Sequence, residues 1–140
     1  MPPKATAKDI MDAIEREFPQ VAGDFSIETL EAGRVTVRLN VQDKHLRPGG
    51  TVSGPSIFGL ADVSVWIVTM SMIGPQTMAV TTNASLDFMR KPEAGRDLLA
   101  ECRLLKLGRV LAVGDVLIYS EGNEDPVARA SMTYSIPPAR

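Results

Sequence analysis

A chain of 140 residues, 44% hydrophobic and 23% charged, suits one globular domain around one core and is too apolar to stay disordered. A net charge of −2, with no cluster of Lys and Arg, argues against nucleic acid or an anionic membrane surface as partner. One cysteine, Cys102, excludes an internal disulfide framework, and a single histidine beside it offers no metal-ligand cluster. The opening MPPKATAKDIMDAIEREF lacks an apolar signal core, so a reduced, cytoplasmic protein is the expectation.

Thr6 and Asp9 have the spacing of a capping box and start a first helix. Ile10, Ile14 and Phe18 share one face of it, and Pro19 ends it. Phe25 to Leu30 reads as a short strand. Glu31-Ala32-Gly33 turns it into RVTVRLNV, where Val35, Val37, Leu39 and Val41 alternate with polar residues as in a half-buried strand. Gln42 to Ser53 is a loop holding the only histidine, His45, with Arg47 and the pair Gly49-Gly50. That pair is not a phosphate loop, because no GxxxxGK[ST] motif is present.

Gly54-Pro55 opens a second helix, GPSIFGLADVSVWIVTMSMI, closed by Gly74-Pro75. It is hydrophobic on nearly every side, so it must be buried. Its length is marginal for a membrane span. Ser56, Asp62, Ser64, Thr69 and Ser71 interrupt it, and no basic cluster flanks it. A core helix is the expectation. Asp62 is the only ionisable residue between Arg47 and Asp87. A carboxylate in an apolar helix is costly unless paired, hydrogen-bonded or protonated. It either anchors a local network or does chemistry. Trp66 and the helix methionines read as core.

Four strands follow. Met78 to Met89 places Met78, Val80, Ala84, Leu86 and Phe88 on one face and Thr81, Asn83, Ser85 and Asp87 on the other. Arg96 to Leu107, Val110 to Tyr119 and Val127 to Ile136 complete the set. Gly108 and the cluster Glu121 to Pro126 supply turns. Short connections predict that these four are consecutive antiparallel neighbours. No repeat, linker or low-complexity segment divides residues 1–140, so a single domain is expected. The order helix, two strands, long buried helix, four strands predicts an α+β architecture, an antiparallel sheet curled around one central helix with an extra N-terminal helix. That arrangement is the hotdog fold.

The stretch HLRPGGTVSGPSIFGLAD resembles the signature of PaaI-like (phenylacetate-pathway) hotdog acyl-CoA thioesterases, and TTNASLDFMRKPEAGRDLLAECRLLKLGR resembles their downstream strand and Gly-Arg pattern. Together the similarity runs from about Gly33 to Ile136. It implies that Asp62 is the nucleophile or general base, and that the Gly54 N–H at the helix start polarises the thioester carbonyl. Thr81 falls near a Ser or Thr that positions the attacking water, with Asn83 beside it. His45 matches the family's earlier histidine. The family's active site lies at a dimer interface, so a homodimer, or a dimer of dimers forming a homotetramer, is expected. Coenzyme A enters as part of the substrate and no separate cofactor is implied. Arg90, Lys91 and Arg109 are candidates for its phosphates.

Two departures stand out. Ser53-Gly54-Pro55 replaces the usual His-Gly-Gly, and Arg47 stands where many relatives have Asn. Pro55 removes an N–H, leaving polarisation to Gly54 and Ser56. Arg47 is a candidate to pair Asp62, to bind an anionic acyl group or to contact phosphate. Ser53 joins it among the candidate substrate contacts. Asp62 lies about 12 Å along the helix from Gly54, so one chain cannot easily use both at one site. Two antiparallel helices side by side would unite them. A non-hydrolytic acyl-CoA-binding or regulatory module, and a hydratase, are the rival functions.

Overall fold

The computed structural model describes residues 1–138. Helix α1 (Ala7–Glu17) begins in the expected capping box, with the Thr6 hydroxyl accepting from the Asp9 N–H and the Asp9 carboxylate accepting from the Thr6 N–H. It buries Ile10, Ala13 and Ile14. Pro19 stops it and starts a short second helix, α2 (Pro19–Ala22). Phe18, at the break, is half exposed rather than buried and packs edge-on against Trp66, ring centroids 6.2 Å apart.

The expected hairpin forms between β1 (Phe25–Glu31) and β2 (Arg34–Leu39), with Gly33 at φ +72 supplying the tight turn. Central helix α3 (Gly54–Ile73) follows. The Ser53 hydroxyl caps its start, and Gly74 at φ +106 ends it. By length and a mean hydropathy of 1.7 it could cross a membrane, yet 67% of that stretch is buried inside the protein. Its buried hydroxyls are satisfied within the helix. Ser64 donates to the Leu60 carbonyl, Thr69 to that of Val65 and Ser71 to that of Val68, each at 2.7 Å.

Strands β3 (Val80–Phe88), β4 (Leu98–Leu107), β5 (Leu111–Ser120) and β6 (Pro126–Ser135) complete one antiparallel sheet of order β1-β2-β4-β5-β6-β3. Val37, Leu39, Leu98, Ala100, Ile118 and Met132 are among the inward residues buried with α3. At Gly114 the helix comes so close that a Cβ would lie 2.8 Å from Val65 Cγ2.

Two expectations are corrected. β3 is not beside β4: it crosses to the far edge and pairs with β6, while β4 pairs with β2. Residues 89–97 bridge the gap of three strand spacings, about 15 Å, which nine extended residues easily span. Nor does β3 bury an apolar face. Val80 and Phe88 are 58% and 57% exposed, at the two ends of a strand that lies on the edge of the sheet.

Candidate active site

A bulge sets the site. Thr81 pairs with Tyr134 and Asn83 with Thr133, so Thr82 is the extra residue in β3. Residues directly opposite one another in an antiparallel pair share a face. The bulge therefore turns Thr81 to the inner side with Tyr134, and Asn83 to the outer side with Thr133. The expected common face for Thr81 and Asn83 is wrong for this reason.

On the inner side the two hydroxyls meet Asp62. Thr81 Oγ1 donates to Asp62 Oδ1 at 2.6 Å and the Tyr134 hydroxyl to the same oxygen at 2.8 Å. The phenol also lies 2.9 Å from the Asp62 main-chain oxygen. Among the described residues nothing donates to Oδ2, and that atom is not sealed from solvent, since the only buried side-chain polar atom without a partner is Trp66 Nε1. One carboxylate oxygen is held and the other is open. Asp62 lines a cavity of about 280 Å³ together with Phe18, Trp66, Ala79, Thr81 and Tyr134. Burial above all, and then the Asp62 charge, hold the Tyr134 hydroxyl above its usual range, so it remains a donor.

At the start of α3 the hydrogen-bond account leaves one donor. Pro55 has no N–H. The Ser56 N–H is turned toward the Ser53 hydroxyl at 3.4 Å, and the Ile57 N–H bonds the Ser53 carbonyl at 3.0 Å. Among the described residues the Gly54 N–H has no acceptor. It opens onto a second cavity of about 490 Å³, which also gathers Arg47, Phe88, Arg90 and Lys91. An unpaired N–H at a helix start beside three cations is suited to an anion or a developing oxyanion.

The site residues expected from sequence thus fall into groups. Asp62 and Thr81 are brought together in the first cavity; Gly54, Arg47, Arg90 and Lys91 in the second. Arg47 does not pair Asp62. Ser53 serves as the helix cap. His45 is buried and structural: its Nδ1 accepts from the Gln42 N–H at 2.9 Å, and Nε2 lies 3.6 Å from Asp24. Asn83 and Arg109 line neither cavity; Arg109 sits exposed in the β4–β5 turn. Sequence reasoning missed Tyr134. Its signal was a polar-tipped aromatic among the inward positions Ala128, Ala130 and Met132 of β6.

A sheet curled around an apolar helix, with one half-open carboxylate on that helix and a bare N–H at its tip, is the framework of a hotdog hydrolase. The model of the Thioesterase superfamily matches residues 49–127, which include Gly54, Asp62 and Thr81. A crystal structure from Silicibacter sp. TM1040, named a “putative thioesterase”, is 61% identical with TM-score 0.90, covering 97% of this chain and 94% of that one. A point mutant of the phenylacetic acid degradation protein PaaI from Thermus thermophilus is 27% identical with TM-score 0.72, covering 85% and 99%. The protein smu.793 from Streptococcus mutans UA159, solved bound to acetyl CoA, is 30% identical with TM-score 0.72, covering 83% and 90%. The chain belongs to the Thioesterase superfamily, among its PaaI-like hotdog members, and is a thioester hydrolase by class.

Proposed function

We propose that the protein hydrolyses an acyl-CoA carrying a short, medium or aryl acyl group, as a homodimer with two equivalent sites. Asp62 acts as general base or nucleophile, and the Gly54 N–H holds the oxyanion. The observation that carries this reading is the division of one site into two halves on one chain. Asp62 and Gly54 are separated by eight residues of helix, about 12 Å. Each half sits against one end of the exposed edge strand β3, Val80–Thr81 at the Asp62 end and Phe88 at the Gly54 end. Pairing β3 with its own copy about a two-fold axis runs the strands antiparallel. Each chain's Asp62 cavity then lies beside the partner's Gly54 cavity. Exposed Phe58, Met78, Val80 and Phe88 give such a pairing an apolar surface to bury.

In the completed site the carbonyl oxygen meets the partner's Gly54 N–H and the positive end of its helix. One oriented donor of this kind contributes about 3 kcal/mol to the transition state. Asp62 Oδ2 removes a proton from water or attacks the carbonyl carbon, and thiolate leaves without needing a strong acid. Arg47, Arg90 and Lys91 give the Gly54 side the charge to receive phosphates. The acetyl CoA bound to the Streptococcus mutans protein supports a coenzyme A thioester as the substrate class.

The test is thiol release across a panel of acyl-CoAs, with Asp62→Asn beside the parent. Turnover of at least one acyl-CoA that collapses in the variant, with the fold intact, is expected. Thermal stabilisation by acyl-CoA without thiol release would replace the enzyme reading with a binding module.

A further inference from the structure

The Tyr134 hydroxyl is buried in β6 and touches two oxygens of one residue. The phenol has one proton and two acceptors in reach: the Asp62 main-chain oxygen at 2.9 Å, which alone would satisfy a core tyrosine, and the carboxylate oxygen Oδ1, which is closer and charged and so takes the larger share. Its contact with Oδ1, 2.8 Å, is different, because Thr81 already donates to that oxygen at 2.6 Å. Two donors converge on one carboxylate oxygen and none on the other. They arrive from two strands paired directly opposite one another, at the point where the β3 bulge re-aims Thr81. A carboxylate held by a single hydroxyl can rotate about its Cβ–Cγ bond and exchange its oxygens; one gripped by two fixed hydroxyls cannot do so without breaking both bonds.

We propose that Tyr134 is a positioning residue of the thioesterase site, which with Thr81 locks the Asp62 carboxylate through Oδ1 and so makes Oδ2 the reacting oxygen. This rests on the reading of Asp62 as base or nucleophile. Tyr134 itself never meets substrate; its role is to keep Oδ2 aimed at the carbonyl carbon or its attacking water. Loss of aim of this kind lowers turnover more than it weakens substrate binding. The ionisable or hydroxyl groups facing the phenol are Asp62 from α3, Thr81 from β3 and the Cys102 thiol from β4. None of these is a cation, so ionisation of the phenol would set two negative charges together and remove the donor.

Tyr134→Phe keeps the ring and deletes only the hydroxyl. The expected result is a fall in kcat of about 10-fold to 100-fold with KM changed less than about threefold. The same substitution placed on Asp62→Asn should change the residual rate no further, since its effect runs through the carboxylate. If Tyr134→Phe retains the parental kcat per folded molecule, Tyr134 is only a core tyrosine and the proposal is overturned. If Asp62→Asn itself retains activity, the underlying reading of Asp62 fails instead, and the two failures are told apart.

Should Tyr134→Phe not fold, Thr81→Val deletes the other donor to Oδ1 from the sheet's edge strand. The proposal expects kcat to fall about 10-fold or more with KM changed less than about threefold, and a parental kcat in this variant would overturn the two-hydroxyl lock.

Discussion

Replacing Gly54 by Pro deletes one hydrogen atom that matters and little else. Gly54 is the first residue of α3, where proline is favoured because the N–H has no partner in the helix. Ser53, at φ −75 and ψ 156, already has the extended backbone that a following proline requires. A side chain at position 54 meets only Phe88, at 3.8 Å, an ordinary contact. With Pro55 lacking an N–H and those of Ser56 and Ile57 engaged by Ser53, the substitution leaves the first turn with no free donor. Loss of a single oxyanion donor costs about 3 kcal/mol, or roughly 100-fold to 1,000-fold in kcat. Gly54→Ala, which keeps the N–H, should stay within about threefold of the parent in the same assay. The assay is thiol release on the best acyl-CoA of the panel, with circular dichroism and thermal melts to establish folding. A well-folded Gly54→Pro protein retaining parental kcat would refute the assignment of this N–H to the oxyanion.

Other outcomes follow from the packing and the charges. Gly114→Ala drives a methyl against Val65 Cγ2 and Cγ1 at 2.8 and 2.9 Å, and should destabilise by about 1–3 kcal/mol. Val65→Ala, destabilising alone, should cost less in the Gly114→Ala background than in the parent, by a coupling of about 1 kcal/mol or more in urea unfolding; strict additivity would count against the close approach. Glu121 is held below its ordinary 4.5 chiefly by its hydrogen bond from Arg38, which also binds Glu28 and Asp97. A depressed carboxyl contributes stability that is fully present above the unfolded value and is lost as pH falls through the folded one. The urea midpoint should therefore drop below about pH 4.5 in the parent, and drop less in Arg38→Gln. Burial pushes the Cys102 thiol up to about 12, so a disulfide reagent should label it only after unfolding, and thiol assays on the native protein should read released coenzyme A alone.

The helix that organises the fold was legible because its apolarity has no period, which only burial on all sides can accommodate, and its caps were written as Ser53-Gly54-Pro55 and Gly74-Pro75. The Val35 to Leu39 alternation was equally plain. Strand β3 was misread for two reasons. Its alternation of apolar and polar residues is the pattern of a half-buried strand, yet an edge strand can carry the same pattern for a partner outside the chain. The bulge at Thr82 also breaks the period of two that the face assignment assumed, and no glycine or proline announces it. Neighbour order failed because short connections were expected to join neighbours, while residues 89–97 are long enough to cross the sheet. Within the site, Asp62 was conspicuous as the lone charge in an apolar run. Tyr134 was hidden, since only the register of β6 against β3 places it on the carboxylate.

Mixing two inactive variants tests most directly whether the halves come from different chains. Co-expressed Asp62→Asn and Gly54→Pro chains should form mixed dimers in which one site keeps an intact Asp62 and faces an intact Gly54 of the partner. With random pairing, about a quarter of parental activity per chain should return. If both halves worked within one chain, the mixture would stay as inactive as its components, and the shared site would be contradicted.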